Sequence, residues 1–260
     1  MAVADAAQMT LPSSTVAWLT PDPFVAGALT LSLDGVPQSH VSLRDPRHLF
    51  YDYVRRMGTA IDLAARPAEP LDVLHLGAGA LTLARYVALT RPGSRQLVVE
   101  KEEGLVAFVL EHAPLPRSAE IDLVEGDALD ALRSLDLPGS DWREGADIVV
   151  CDVYAGVSTP AHLISQDFFE AVRAVLAPRG TVLVNVADEP DLGTVGRQID
   201  ALRAVFPAVA MIGPAATLDG REAGNVVLVA GGDPAILERM PALAAAGPHP
   251  VAWRVIAPVQ

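Results

Sequence analysis

Asp72-Val73-Leu74-His75-Leu76-Gly77-Ala78-Gly79 is the stretch whose reading decides the fold. A short, mostly apolar run reads as a buried strand, and Leu81 to Thr90 behind it has helical periodicity. Between them stand two glycines. Glycine lets backbone approach a ligand, and a helix N-terminus presents unpaired N–H groups there. A strand, Gly77, Gly79 and a helix in that order predict a ligand loop at the carboxyl edge of an open α/β sheet.

Outward from this loop, strand and helix alternate. Strands are predicted at Gln96 to Val99, Ile121 to Val124, Ile148 to Cys151 and Thr181 to Val186, and later at Val209 to Ile212 and Val226 to Val229. Helical periodicity falls at Glu103 to His112, Ala128 to Leu135, Gln166 to Leu176 and Gly193 to Val205. The prediction is an α/β fold with a doubly wound, mainly parallel, seven-stranded sheet. Upstream the text differs. Leu29-Thr30-Leu31-Ser32-Leu33 alternates with period two, Asp34-Gly35 signals a turn, and Val36 to Val41 follows. A small antiparallel β unit is expected there, with a helix from about Leu49 to Leu63. Arg66-Pro67-Ala68-Glu69-Pro70 reads as a linker, dividing the chain into 1–66 and 67–260.

The strand ends carry acids. Glu100 closes the strand after the glycines, where a carboxylate accepts hydrogen bonds from ribose hydroxyls. A dinucleotide grip also needs a third glycine, which falls at Thr82. Gly126-Asp127-Ala128 follows the third strand, and Asp127 there is suited to accept from an adenine amino group. Asp152 ends the fourth strand. Four consecutive strand ends bearing Gly-Ala-Gly, Glu, Gly-Asp and Asp favour an S-adenosyl ligand.

Bulk properties narrow the partners. The 260 residues carry a formal charge of -13 and 51% hydrophobic residues, so a large core is possible and nucleic acid is not an expected partner. No uncharged apolar run reaches the roughly 18 residues of a membrane span, and no membrane partner is expected. Cys151 is the only cysteine, which rules out an intrachain disulfide and favours a cytoplasmic location. The histidines lack metal spacing, and no metal is expected.

The chain resembles the spermidine synthase family of aminopropyltransferases, on the methyltransferase-like Rossmann fold. Leu33-Asp34-Gly35-Val36-Pro37-Gln38-Ser39 resembles that family's L-D-G-x-x-Q-S hairpin, and Tyr51 falls where it carries a downstream tyrosine. Val99-Glu100-Lys101-Glu102 resembles V-E-I-D, Gly126-Asp127-Ala128 resembles G-D-A, Asp147 to Asp152 resembles D-x-x-x-x-D, and Gly224-Asn225-Val226-Val227 resembles the late strand. The resemblance implies that decarboxylated S-adenosylmethionine, or S-adenosylmethionine itself, is held by Gly77, Gly79, Glu100, Asp127, Ala128 and Asp152. It implies Asp152 as the catalytic base and Tyr51 as an orienting hydroxyl. Gln38 and Tyr154 would meet a small-molecule amine or another small acceptor, in a homodimer.

Two positions depart from that pattern. The family's G-G-G-D-G loop has an aspartate where this chain has Ala80, and its D-S-S-D-P loop has a second acid where this chain has Ala155. Tyr154 and Ala155-Gly156-Val157-Ser158-Thr159-Pro160 are expected to form a lid that suits an apolar or aromatic acceptor. Three readings stay open: an aminopropyltransferase with an altered acceptor, an S-adenosylmethionine-dependent methyltransferase, and a non-catalytic adenosyl-binding protein.

Overall fold

The computed structural model describes residues 6–135, 140–154 and 159–257. Two sheets organise them. The first is an antiparallel meander of β1 (Ala7–Thr10), β2 (Val16–Pro21), β3 (Ala28–Leu33) and β4 (Val36–Ser42), in that spatial order. Leu33 pairs with Val36 across Asp34-Gly35, whose φ values of 49° and 81° make the two-residue hairpin turn that Asp-Gly favours. Helix α1 (Asp52–Asp62) follows, inside the range expected for it.

The second sheet is built from β5 (Val73–Leu76), α2 (Thr82–Thr90), β6 (Gln96–Glu100), α3 (Leu105–His112), β7 (Ile121–Glu125), α4 (Ala128–Leu135), β8 (Ala146–Cys151), α5 (Gln166–Val175), β9 (Leu176–Asp188) and α6 (Gly193–Val205). It is completed by β10 (Ala208–Pro214), α7 (Ala215–Leu218), β11 (Gly224–Gly231), α8 (Met240–Ala245) and β12 (Val251–Ile256). Spatial order is β12-β10-β11-β9-β8-β5-β6-β7. Strands β9, β8, β5, β6 and β7 run parallel, and β11, β10 and β12 are added antiparallel. The predicted class stands, but the sheet has eight strands rather than seven. The extra strand is β12, an edge strand that pairs only with β10.

Alternation along β5 sorts the two faces. Leu74 and Leu76 join the core under α4, α5 and α6, with Leu132, Phe168 and Leu202. Val73 joins the opposite core with Met57 of α1, Val87 of α2 and Leu243 of α8. Arg91, 1% exposed, donates to the carbonyls of Ile61 and Asp62 and to those of Arg66 and Glu69. It bonds the C-terminal carbonyls of α1, that of Ile61 being shared with the Ala64 N–H, and ties the proline-rich linker to α2. The first sheet packs through Leu11, Leu19 and Leu31 into a cluster with Leu105 and Phe108 of α3.

The chain winds from β5 to β7 in one direction, then returns to β8 and β9 on the other side of β5. That reversal opens a crevice at the carboxyl ends of β5 and β8, where open α/β sheets bind ligands. Among the described residues, no helix is long and apolar enough to cross a membrane.

Candidate active site

A cavity of about 360 Å³ lies at this crevice, lined by strand ends of the large sheet and by β4 and the start of α1. Gly77 fixes its floor. Its φ is +93°, and a Cβ there would sit 2.1 Å from the backbone oxygen of Asp152. Only a residue without a side chain lets the ends of β5 and β8 approach this closely. Gly79 faces Ser39 of β4. Thr82 donates to the His40 carbonyl at 2.9 Å, so the Ser39 hydroxyl, 3.1 Å away, donates to Thr82 Oγ1. The first sheet is thereby latched to the glycine loop.

One side of the cavity carries two anchored carboxylates. Glu100 accepts the Ala78 N–H through Oε2 and the Glu102 N–H through Oε1, both at 2.9 Å. These bonds hold the carboxylate still, each oxygen keeps a further lone pair, and Glu100 lines the cavity. Asp127 caps α4 by accepting the Leu129 N–H at 2.9 Å, and its second oxygen meets His162 Nε2 at 2.8 Å. Partial burial pushes the Asp127 carboxyl up, but the bonds from His162 and Leu129 outweigh this and hold it below its ordinary range. Ala128 lines the same side.

The other side is a directed polar row. Val227 pairs with Asn185, and Leu183 with Val150, so period-two alternation puts Asn185 beside Asp152 on the α1 face of the sheet. Asn225 Nδ2 donates to Asn185 Oδ1 at 3.0 Å, Asn185 Nδ2 donates to Asp152 Oδ1 at 2.8 Å, and the Tyr53 hydroxyl donates to Asp152 Oδ2 at 3.2 Å. Burial pushes the Asp152 carboxyl above its usual range, opposed by the bonds from Asn185 and Tyr53. Burial and the Asp152 charge drive the Tyr53 phenol well above its ordinary value, so it stays a donor. Tyr154 stands alongside. Its hydroxyl accepts the Ala187 N–H at 2.7 Å and donates to the Asn185 carbonyl at 3.2 Å.

No protein-family model matches the chain. The polyamine aminopropyltransferase of Chromobacterium violaceum is 25% identical over 149 residues, which cover 57% of this chain and 53% of that protein. The chain thus spans about half the length of the curated relative it matches. A crystal structure described as a probable spermidine synthase from Corynebacterium glutamicum superposes over 96% of this chain and 90% of its own, with a TM-score of 0.83 and 28% identity. The chain is spermidine synthase-like. Two more distant structures share the fold alone. One is a spermidine synthase in complex with the transition state analogue AdoDATO, with a TM-score of 0.60 and 15% identity over 88% of this chain and 74% of that one. The other is human methyltransferase-like protein 13 in complex with SAH, with a TM-score of 0.58 and 23% identity over 76% of this chain and 93% of that one.

In this spermidine synthase-like chain the cavity brings together Gly77, Gly79, Glu100, Asp127, Ala128, Asp152, Gln38, Tyr51 and Tyr154, all of which line it. Three placements sharpen the sequence reading. The hydroxyl on Asp152 belongs to Tyr53, while Tyr51 stacks on the Tyr53 ring at 6.1 Å and 15°. Tyr154 is anchored to β9 by both hydroxyl bonds, so it presents its ring. Ala80 is fully buried in the apolar cluster with Leu11, Leu31 and Leu105. A carboxylate at that place would sit under the first sheet. Ala155-Gly156-Val157-Ser158 of the expected lid lies outside the described residues.

Sequence reasoning missed Tyr53 and the role of Asn185 and Asn225. The available signal was an asparagine interrupting Val182-Leu183-Val184 and Val186, an unpaired polar group that a buried strand tolerates only with a partner. His75 is buried and also lines the cavity. Gln96 donates its amide to the Ala84 carbonyl, so its oxygen faces His75 Nε2 at 2.9 Å and accepts from it. Burial, opposed by this bond, lowers the His75 imidazole to about 4. Among the described residues, no group of three or more His, Cys, Asp or Glu is arranged to hold a metal ion.

Proposed function

We propose that the protein moves an aminopropyl group from decarboxylated S-adenosylmethionine to an amine whose identity differs from the usual diamine. The observation that carries this is a half-buried carboxylate, Asp152, held by two donors opposite the Glu100 side of one cavity. Gly77 and Gly79 would bring the backbone against the S-adenosyl ligand, Glu100 would accept from ribose, and Asp127 and Ala128 would flank adenine. Asp127 already bonds His162, so an adenine amino group would share or displace that partner.

An alkylamine is protonated near neutrality, with a reference pKa of about 10.4. Asp152 receives its proton, and burial makes this carboxyl the stronger base. The nitrogen lone pair then attacks the carbon beside the sulfonium. The C–N bond forms, the C–S bond breaks, and the sulfur keeps the electron pair as neutral methylthioadenosine. Alignment and desolvation supply most of the acceleration. Tyr53 orients Asp152, Tyr51 backs Tyr53, and Gln38 and Tyr154 bound the acceptor.

Purified protein given decarboxylated S-adenosylmethionine and an amine mixture should release methylthioadenosine, detected by mass spectrometry. Asp152→Asn should abolish that release while retaining methylthioadenosine affinity. Release of S-adenosylhomocysteine from S-adenosylmethionine would instead establish methyl transfer, the second reading. Neither product would leave a binding protein. We further propose a cytoplasmic homodimer, supported by the single buried cysteine and by the family resemblance; a monomer mass on gel filtration would overturn the dimer.

A further inference from the structure

We infer that the acceptor is a primary monoamine with a flat apolar body, of the arylalkylamine class, rather than an α,ω-diamine. The inference rests on the aminopropyl-transfer reading for its chemistry, but its amine preference is a property of the cavity itself. The charged groups lining the cavity divide unevenly. Glu100, Lys101, Glu102 and Asp127 line it at or just after the ends of β6 and β7, whereas among the described residues Asp152 is the one charged group lining it beside β8, β9 and β11. Asp188, the last residue of β9, is outside the lining and accepts the Glu189 and Val195 N–H groups. A diamine brings two ammonium groups near neutrality, and this side offers one carboxylate. The second ammonium would be desolvated without a charged partner.

The neutral groups around Asp152 do not fill the gap. Asn185 spends its amide nitrogen on Asp152 and its amide oxygen on Asn225. Tyr154 spends its hydroxyl on β9 in both directions. What these walls present is ring surface: Tyr154 from the segment after β8, and the parallel Tyr51 and Tyr53 pair from the start of α1. Leu33, Val36 and Pro37 add apolar lining from the hairpin. An ammonium on Asp152 with an aromatic body against tyrosine rings satisfies both halves of the site. Transfer then yields an N-aryl-alkyl-1,3-diaminopropane and methylthioadenosine, with one amine proton passed to Asp152.

The test uses the full chain saturated with methylthioadenosine, titrated calorimetrically with phenethylamine, n-butylamine and putrescine. Phenethylamine should bind at least tenfold more tightly than putrescine, and Tyr51→Leu should lower phenethylamine affinity several-fold more than it lowers n-butylamine affinity. Putrescine binding as tightly as phenethylamine, or no amine binding at all, overturns the inference. The same amines are then offered with decarboxylated S-adenosylmethionine. Methylthioadenosine released fastest with putrescine overturns the inference and leaves the transfer reaction intact. Preferential phenethylamine binding with no release from any amine upholds the inferred pocket and overturns the reaction.

Discussion

Gly77→Ala should damage the fold and the site together. The added Cβ would lie 2.1 Å from the Asp152 carbonyl oxygen and 2.9 Å from its carbonyl carbon. Ordinary nonbonded contacts sit near 3.5 Å, so the two chains must part by roughly 1 Å or more. Neither is free to do so: Gly77 N–H donates to the Val99 carbonyl at 2.8 Å, and Asp152 N–H donates to the Leu76 carbonyl at 2.9 Å. Alanine also pays a conformational penalty at φ +93°, about 1–2 kcal/mol, and overpacking adds about 1–3 kcal/mol. The expected loss of stability is therefore roughly 2–5 kcal/mol. Because the displaced atoms belong to Asp152, a shift of this size should also lower turnover about a hundredfold in the fraction that stays folded. Urea unfolding reads the first effect, and turnover at matched folded concentration reads the second. Gly79→Ala is the control: its Cβ meets only the Ser39 side chain, at 3.1 Å, and its φ of +49° lies where alanine is less strained. A Gly77→Ala protein within about 0.5 kcal/mol of wild type, with Gly79→Ala the more damaging change, would refute the close-approach argument.

The buried neutral His75 makes stability depend on pH. Its imidazole titrates near 4 in the folded chain against 6.5 in a free reference, so protons bind the unfolded chain preferentially between those values. Its stabilisation is complete above pH 6.5 and is lost as pH falls to 4, by roughly 3 kcal/mol; the stability difference between wild type and His75→Gln should track this, and a pH-independent difference would refute it. Glu100→Gln replaces one of two acceptor oxygens with a donor facing the Ala78 or Glu102 N–H, so methylthioadenosine should bind at least tenfold more weakly by calorimetry. Tyr53→Phe removes one of two donors to Asp152; at roughly 1.5–3 kcal/mol per charged hydrogen bond, turnover should fall tenfold or more. Tyr51→Phe keeps its ring on Tyr53 and should cost less, so the reverse order of kcat values would return the orienting role to Tyr51.

Local pattern was enough for much of this. Period-two and helical spacing depend on residues a few positions apart, so Leu71 to Leu76, Gln96 to Val99 and Gly193 to Val205 were legible as strands and helix. The turn at Asp34-Gly35 and the ligand loop at Gly77 and Gly79 follow from backbone freedom alone. Two edge strands, β1 and β12, were not legible. Ala7 to Thr10 is mostly exposed, and Val251 to Ile256 is defined by its pairing with β10. The site's inner detail was decided only in three dimensions. Tyr51 and Tyr53 differ by two positions, and the placement of α1 against the sheet chooses which hydroxyl meets Asp152. Asn225, Asn185 and Asp152 come from three segments that only strand register aligns. Ala80 stands beside a ligand glycine in the chain yet lies under the first sheet in the fold. The sequence by itself determined the elements, the glycine loop and the acids at the strand ends, because those are short-range properties of the chain. The tertiary structure decided which groups touch Asp152 and how many charges surround it, because those depend on the packing of segments far apart in sequence.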